Sequence, residues 1–218
     1  MSTCREFQDA QPNEAPVRGF LHLPESGAGN CLILTHGAGA NCDSPLLKAL
    51  AEAFCTSGWA VLRCDLPFRQ ERPHGPPPRG SAERDQQGLR AAIASMRRRF
   101  SGRMFLGGHS YGGRQATMLA ASEPGLVDTL LLLSYPLHPP RRPDELRTAH
   151  FPQLKTPALF VHGTRDSFGS IDEMENALKL IVAKTRLFPI SGAGHELMSK
   201  RNREDLCNLI VDAFRSFD

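Results

Sequence analysis

Ser110, Asp166 and His195 are far apart along this chain, but together they carry the groups that nucleophilic acyl transfer requires. A serine hydroxyl is a weak nucleophile near neutral pH, so it needs a base within hydrogen-bond reach and a carboxylate to orient that base. Ser110 lies within LGGHSYGGRQA, with two glycines on each side. Glycine accepts positive φ and close backbone approach, so the pattern predicts a turn too tight for a Cβ, with the hydroxyl at its tip. Gly108-His109-Ser110-Tyr111-Gly112 fits G-x-S-x-G between an apolar run and an alanine-rich run, which is the context of a nucleophile elbow.

His195 lies in ISGAGHELMS, at the end of the last apolar run and before the final helical pattern. Its rivals are less well stationed. His36 and His162 end apolar runs and read as caps of strand ends, and His109 sits inside the elbow. His22, His74, His138 and His150 lie in segments without partners. Asp166 follows another apolar run in FVHGTRDSFGS. Asp172 begins a helical pattern and reads as a complement to the helix dipole, and Asp65 ends an earlier run. By elimination Asp166 is the carboxylate.

These groups can meet only if the elements between them bring them to one edge. Apolar runs of strand length recur at Cys31–His36, Trp59–Asp65, Arg103–Gly108, Thr129–Tyr135, Pro157–Gly163 and Arg186–Ile190. Continuous apolarity means both faces are covered, as in a parallel sheet between helices. Helical patterns fall at Pro45–Ser57, Ala82–Arg99, Gly113–Ser122, Ile171–Lys184 and from residue 200 to Phe214. The alternation predicts right-handed crossovers and a ligand site outside the carboxyl ends of the strands. Val17–Leu23 adds an antiparallel edge strand, and Pro67–Gly80 reads as a proline-rich loop.

The chain has 218 residues with 40% hydrophobic content, enough for one sizeable core, so a single domain over residues 1–218 is expected, with a flexible N-terminal segment over about residues 1–16. A net charge of +3, with no basic stripe interleaved with aromatics, argues against a nucleic-acid partner. Arg97–Arg99 stand at a helix end, where cations complement the dipole. Arg69, Arg72, Arg79, Arg141, Arg142 and Arg147 fall in loops flanking the active edge and read as solvating surface groups. The six cysteines form no CxxC pair and no zinc-like spacing, so no metal or other cofactor is expected, and Cys31 and Cys64 read as core residues. No run approaches a membrane span and the first residues do not read as a signal segment, so a cytoplasmic protein without membrane contact is expected.

The order Ser, Asp, His, each after a strand, resembles the α/β-hydrolase superfamily from about Cys31 onward. In detail it is similar to the dienelactone-hydrolase-like branch, including small members related to testis-expressed and chromatin-complex hydrolase-like proteins. Dienelactone hydrolases proper use a cysteine nucleophile; position 110 is serine. The resemblance implies a three-layer fold, a mostly parallel sheet with helices on both faces. It also implies that THGAGAN, Thr35 to Asn41, is the oxyanion loop, with the backbone N–H groups of Ala38 and Tyr111 forming the hole.

The expected function is a serine hydrolase of small ester or thioester substrates, working through an acyl-enzyme on Ser110. The competing reading is a catalytically idle binding or scaffold protein on the same fold. The interval Pro136–Thr156 is too short and too proline-rich to form an amphipathic lid, which points to small substrates.

Overall fold

A computed structural model describes residues 2–25, 27–199 and 202–218. Eight strands form one sheet: β1 (Thr3–Asp9), β2 (Val17–Leu23), β3 (Cys31–Thr35), β4 (Ala60–Cys64), β5 (Met104–His109), β6 (Thr129–Leu133), β7 (Ala158–Gly163) and β8 (Thr185–Ile190). Their spatial order is β1-β2-β4-β3-β5-β6-β7-β8, antiparallel at β1-β2 and β2-β4 and parallel throughout the rest. The helices are α1 (Pro45–Thr56), α2 (Pro67–Glu71), α3 (Ala82–Arg97), α4 (Tyr111–Ser122), α5 (Ile171–Leu178) and α6 (Arg203–Phe217), with a single 3-10 turn at Phe151–Gln153.

The continuous apolar runs sort into two cores by strand periodicity, because successive side chains point to opposite faces. Leu32, Leu34, Val61, Phe105, Leu131 and Val161 pack against Leu47 and Phe54 of α1 and Ile210 and Phe214 of α6. Their neighbours Ile33, Leu62, Leu106, Leu130, Leu132 and Phe160 face the other way, onto Leu89 and Ile93 of α3, Leu119 of α4 and Met174 of α5. Every residue of β3, β4, β5, β6 and β7 is buried, so the carboxyl ends of these strands form a rigid edge on which loops can be placed with little freedom.

Four segments depart from the sequence reading. Residues 3–9, expected to be flexible, form β1 in full register with β2. Only Phe7 and Asp9 of this strand are buried, so it carried almost no apolar signal. Asp9 ties it down, accepting from the Ser95 hydroxyl and from Arg98 and Arg99, each at 3.1 Å. Within the expected loop Pro67–Gly80, α2 forms one short helix with Pro67 in its first turn, where a missing N–H is harmless. Helix α5 stops at Leu178, short of the expected Lys184, and α6 runs to Phe217; the expected start of that last helix at residue 200 lies outside the described residues. No helix among the described residues is long and apolar enough to cross a membrane.

Candidate active site

The β5–α4 turn is built around close approach. A methyl group on Gly108 would lie 2.5 Å from Gly113 N, and one on Gly112 would lie 2.6 Å from the His36 carbonyl oxygen, so strand and helix nearly touch. Ser110 sits between them at φ +50°, ψ −114°, a left-handed conformation that costs a non-glycine residue about 1–3 kcal/mol. Its N–H donates to Leu133 O at 2.8 Å and its carbonyl accepts the Arg114 N–H at 3.0 Å, so sheet and helix together hold the strained residue.

Asp166 and His195 are delivered by the loops after β7 and β8. His195 Nδ1 lies 2.8 and 3.0 Å from the two Asp166 carboxylate oxygens, and His195 Nε2 lies 2.8 Å from Ser110 Oγ. With Nδ1–H donating to the carboxylate, Nε2 keeps its lone pair for the serine proton. Burial alone would raise the Asp166 pKa, but the hydrogen bonds from His195 and from the Phe168 N–H reverse this and hold the carboxyl below its ordinary range. Asp166 is thereby kept anionic beside the imidazole.

Three further residues fix the pair. The Phe168 ring stacks on the His195 imidazole, centroids 4.1 Å apart and planes inclined by 28°. His109 Nε2–H donates to the His195 carbonyl oxygen at 2.9 Å, and His162 Nε2–H donates to Gly169 O at 2.8 Å behind Asp166. Burial pushes the pKa of both histidines down, so both are neutral braces. The rivals lie elsewhere. Asp172 is exposed in the first turn of α5, while Asp65 accepts the Cys42 N–H at 2.7 Å and lies 3.5 Å from His36 Nε2.

The loop after β3 lies beside the elbow. His36 is fully buried; its Nε2 accepts the Leu66 N–H at 3.1 Å, which leaves Nδ1–H to donate to Gly37 O at 2.8 Å. Carbonyl and N–H point oppositely across a trans peptide, so this bond also sets the direction of the Ala38 N–H. Among the described residues neither the Ala38 nor the Tyr111 amide donates to another group of the chain.

Arg69 corrects the sequence reading of the loop arginines. It is 5% exposed and donates to the carbonyl oxygens of Ala38 and Ala40 at 2.8 Å and of Arg72 and Gly75 at 2.9 Å. Arg141 and Arg142 are exposed, as expected of solvating groups, whereas Arg147 is half-buried. Sequence reasoning also passed over Asp85. This fully buried carboxylate accepts from the Tyr111 hydroxyl at 2.7 Å, the Ser81 hydroxyl at 3.0 Å and the Phe68 N–H at 3.1 Å. Its signal was its place on the buried stripe of α3 with Leu89, Ala92 and Met96. Phe168 carried no comparable signal.

The arrangement can activate a serine hydroxyl beside two free amides. Among the described residues no group of three or more histidine, cysteine or acidic side chains converges in a way that could hold a metal ion.

Comparison with known proteins places this fold among relatives. A family model described as an alpha/beta hydrolase domain matches residues 28–216. A dienelactone hydrolase from Anabaena variabilis is similar in structure with a TM-score of 0.77 and 24% identity, covering 98% of each chain. Est1E from Butyrivibrio proteoclasticus superposes with a TM-score of 0.76 at 16% identity, over 97% of this chain and 98% of that one. A Xanthomonas campestris protein described as an α/β serine hydrolase without a lid gives 0.75 at 18% identity, over 98% of this chain and 94% of that one.

Proposed function

The chain belongs to the α/β hydrolase family, and on that footing we propose that it is a serine hydrolase of small esters or thioesters, acting through an acyl-enzyme on Ser110. The observation that carries this reading is the continuous hydrogen-bonded path from Ser110 Oγ through His195 to Asp166, with both links at 2.8 Å.

In the acylation half, Ser110 Oγ attacks the carbonyl carbon while its proton passes to His195 Nε2. Asp166 stays ionised and stabilises the imidazolium, and the N–H groups of Ala38 and Tyr111 receive the developing oxyanion. Collapse breaks the bond to the leaving oxygen or sulfur, which takes the proton from His195 Nε2. Water then attacks the acyl-serine, giving its proton to the same nitrogen; the tetrahedral adduct releases the carboxylic acid as the proton returns to Ser110 Oγ.

Small substrates are favoured by the segment between β6 and β7, which contains only one 3-10 turn and no helix that could close over the edge. The Xanthomonas relative described as lidless fits this reading. Labelling with a fluorophosphonate probe tests it without knowledge of the substrate. Labelling of the wild type that is lost in Ser110→Ala is expected; an unlabelled wild type would favour the idle binding protein.

A further inference from the structure

Near Ser110 the structure holds two arginines that form no ion pair among the described residues. Arg114 stands one helical turn into α4, about 6 Å along the axis from Ser110. Helical side chains tilt toward the N-terminus, so the Arg114 stem leads back toward the nucleophile. Its Nε is buried without a hydrogen-bond partner, and none of its side-chain atoms bonds or pairs with another described residue. Arg147 comes from the segment that returns from the end of β6. It is half-buried, and among the described residues its only side-chain bond is a long one, 3.4 Å from Nη1 to Pro136 O.

Two contacts bring the segments together. The His150 Nε2–H donates to Thr117 Oγ1 on α4 at 2.8 Å, seating residues 147–150 one turn beyond Arg114. The Tyr135 hydroxyl donates to the Arg147 carbonyl at 2.6 Å, closing the same segment onto the end of β6. Burial first, and Arg114 second, lower the pKa of Arg147 and bring that of His150 down to about 4. His150 is therefore a neutral neighbour, and the two guanidinium groups repel each other. Glu145, whose charge partly offsets this at Arg147, is exposed and forms its ion pair with Arg142 at 3.2 Å.

Two buried arginines, Arg63 and Arg69, and the exposed Arg99 show the contrast, since each has its partners within the chain. Arg63 has Asp43, His22 and the Cys42 carbonyl; Arg99 has Asp9; Arg69 has four carbonyls. Two like charges held half out of water without a counterion are unfavourable unless an anion joins them. Guanidinium is also the group whose planar fork matches a carboxylate or phosphate at two points.

We infer that Arg114 and Arg147 form an anion subsite beside Ser110, and that the substrate of the proposed hydrolase is an ester carrying a carboxylate or phosphate arm. This inference rests on the hydrolase reading for its substrate, but the subsite binds anions whether or not the serine reacts. The arm selects the substrate and brings its carbonyl to Ser110.

The test is calorimetric titration of Ser110→Ala protein with monomethyl glutarate and, in a second arm, with inorganic phosphate. Saturable binding that weakens with added salt is expected, and the tighter ligand names the arm. Binding should fall at least tenfold in Arg114→Gln and Arg147→Gln, each made in the Ser110→Ala protein and checked by thermal melting. Should either glutamine variant fail to fold, its lysine counterpart keeps the charge but loses the fork, and several-fold weaker binding is expected. Absence of saturable binding, or equal binding in the variants, overturns the subsite. Fluorophosphonate labelling of wild type, run in parallel, decides the hydrolase reading separately.

Discussion

Arg69 Nη2 donates to the carbonyl oxygen of Ala38 at 2.8 Å, while Arg69 Nε holds Ala40 at the same distance. One buried guanidinium thus pins two peptide planes of the loop whose Ala38 amide we assign to the oxyanion. Arg69→Met is expected to lower kcat on p-nitrophenyl butyrate by about 10- to 100-fold, with a smaller change in KM, since a displaced donor is felt most in the transition state. Steady-state kinetics check this; a rise in KM alone would show that the loop serves binding.

Ser110→Ala should abolish ester turnover with the fold retained, because the surrounding glycines shape the turn and alanine relieves none of their contacts. His195→Ala should be nearly as damaging, and the double variant no slower than the worse single, since these groups act as a unit. A double variant much slower than either single would show that the two act independently.

Asp166→Asn removes the charge that orients and stabilises the His195 imidazole. A loss of about 10²- to 10⁴-fold in kcat is expected, with Asp172→Asn near wild type. The reverse pattern would move the acid to α5.

The Asp9 carboxyl is held below the ordinary carboxylate range, chiefly by the Ser95 hydroxyl, with Gln11, Arg98 and Arg99 adding to it. A depressed folded-state pKa means that this group stabilises the fold fully above its unfolded value, about 4, and that the stabilisation is lost as pH falls below it. Asp9→Asn should therefore lower the melting temperature at pH 7, and the gap from wild type should shrink as pH drops below about 4. A gap independent of pH would show that Asp9 acts through packing.

Ester chain length is the last expectation. A buried CH₂ contributes about 0.8 kcal/mol, and an edge without a lid buries few of them. The ratio kcat/KM on p-nitrophenyl esters should peak between acetate and butyrate and fall by octanoate. A rise continuing to palmitate would show that residues 67–80 wall a long apolar pocket.

The parallel sheet was legible because residues buried on both faces leave unbroken apolar runs such as Cys31–Thr35 and Ala158–Gly163. The convergence of Ser110, Asp166 and His195 was legible because each follows a strand-length apolar run, although β8 ahead of His195 is only half-buried. What escaped was held by polar contacts of long sequence separation. Strand β1 is anchored through Asp9 to Ser95 on α3, and Arg69 reads like any loop arginine until its carbonyl partners are seen. Asp85 looked like one more helical acid because its partner, the Tyr111 hydroxyl, comes from another element.

The backbone at Ser110 also restricts which residues could ever serve there. At φ +50° a β-branched side chain is penalised far more than an unbranched one. Threonine is therefore closed to this position, although it carries the same hydroxyl. Serine and cysteine both place an unbranched Cβ, so exchanging oxygen for sulfur leaves the turn intact. The same criterion admits the aspartate carboxylate, so the elbow accepts any nucleophile on an unbranched Cβ, and a lineage can trade one chemistry for another there in a single substitution.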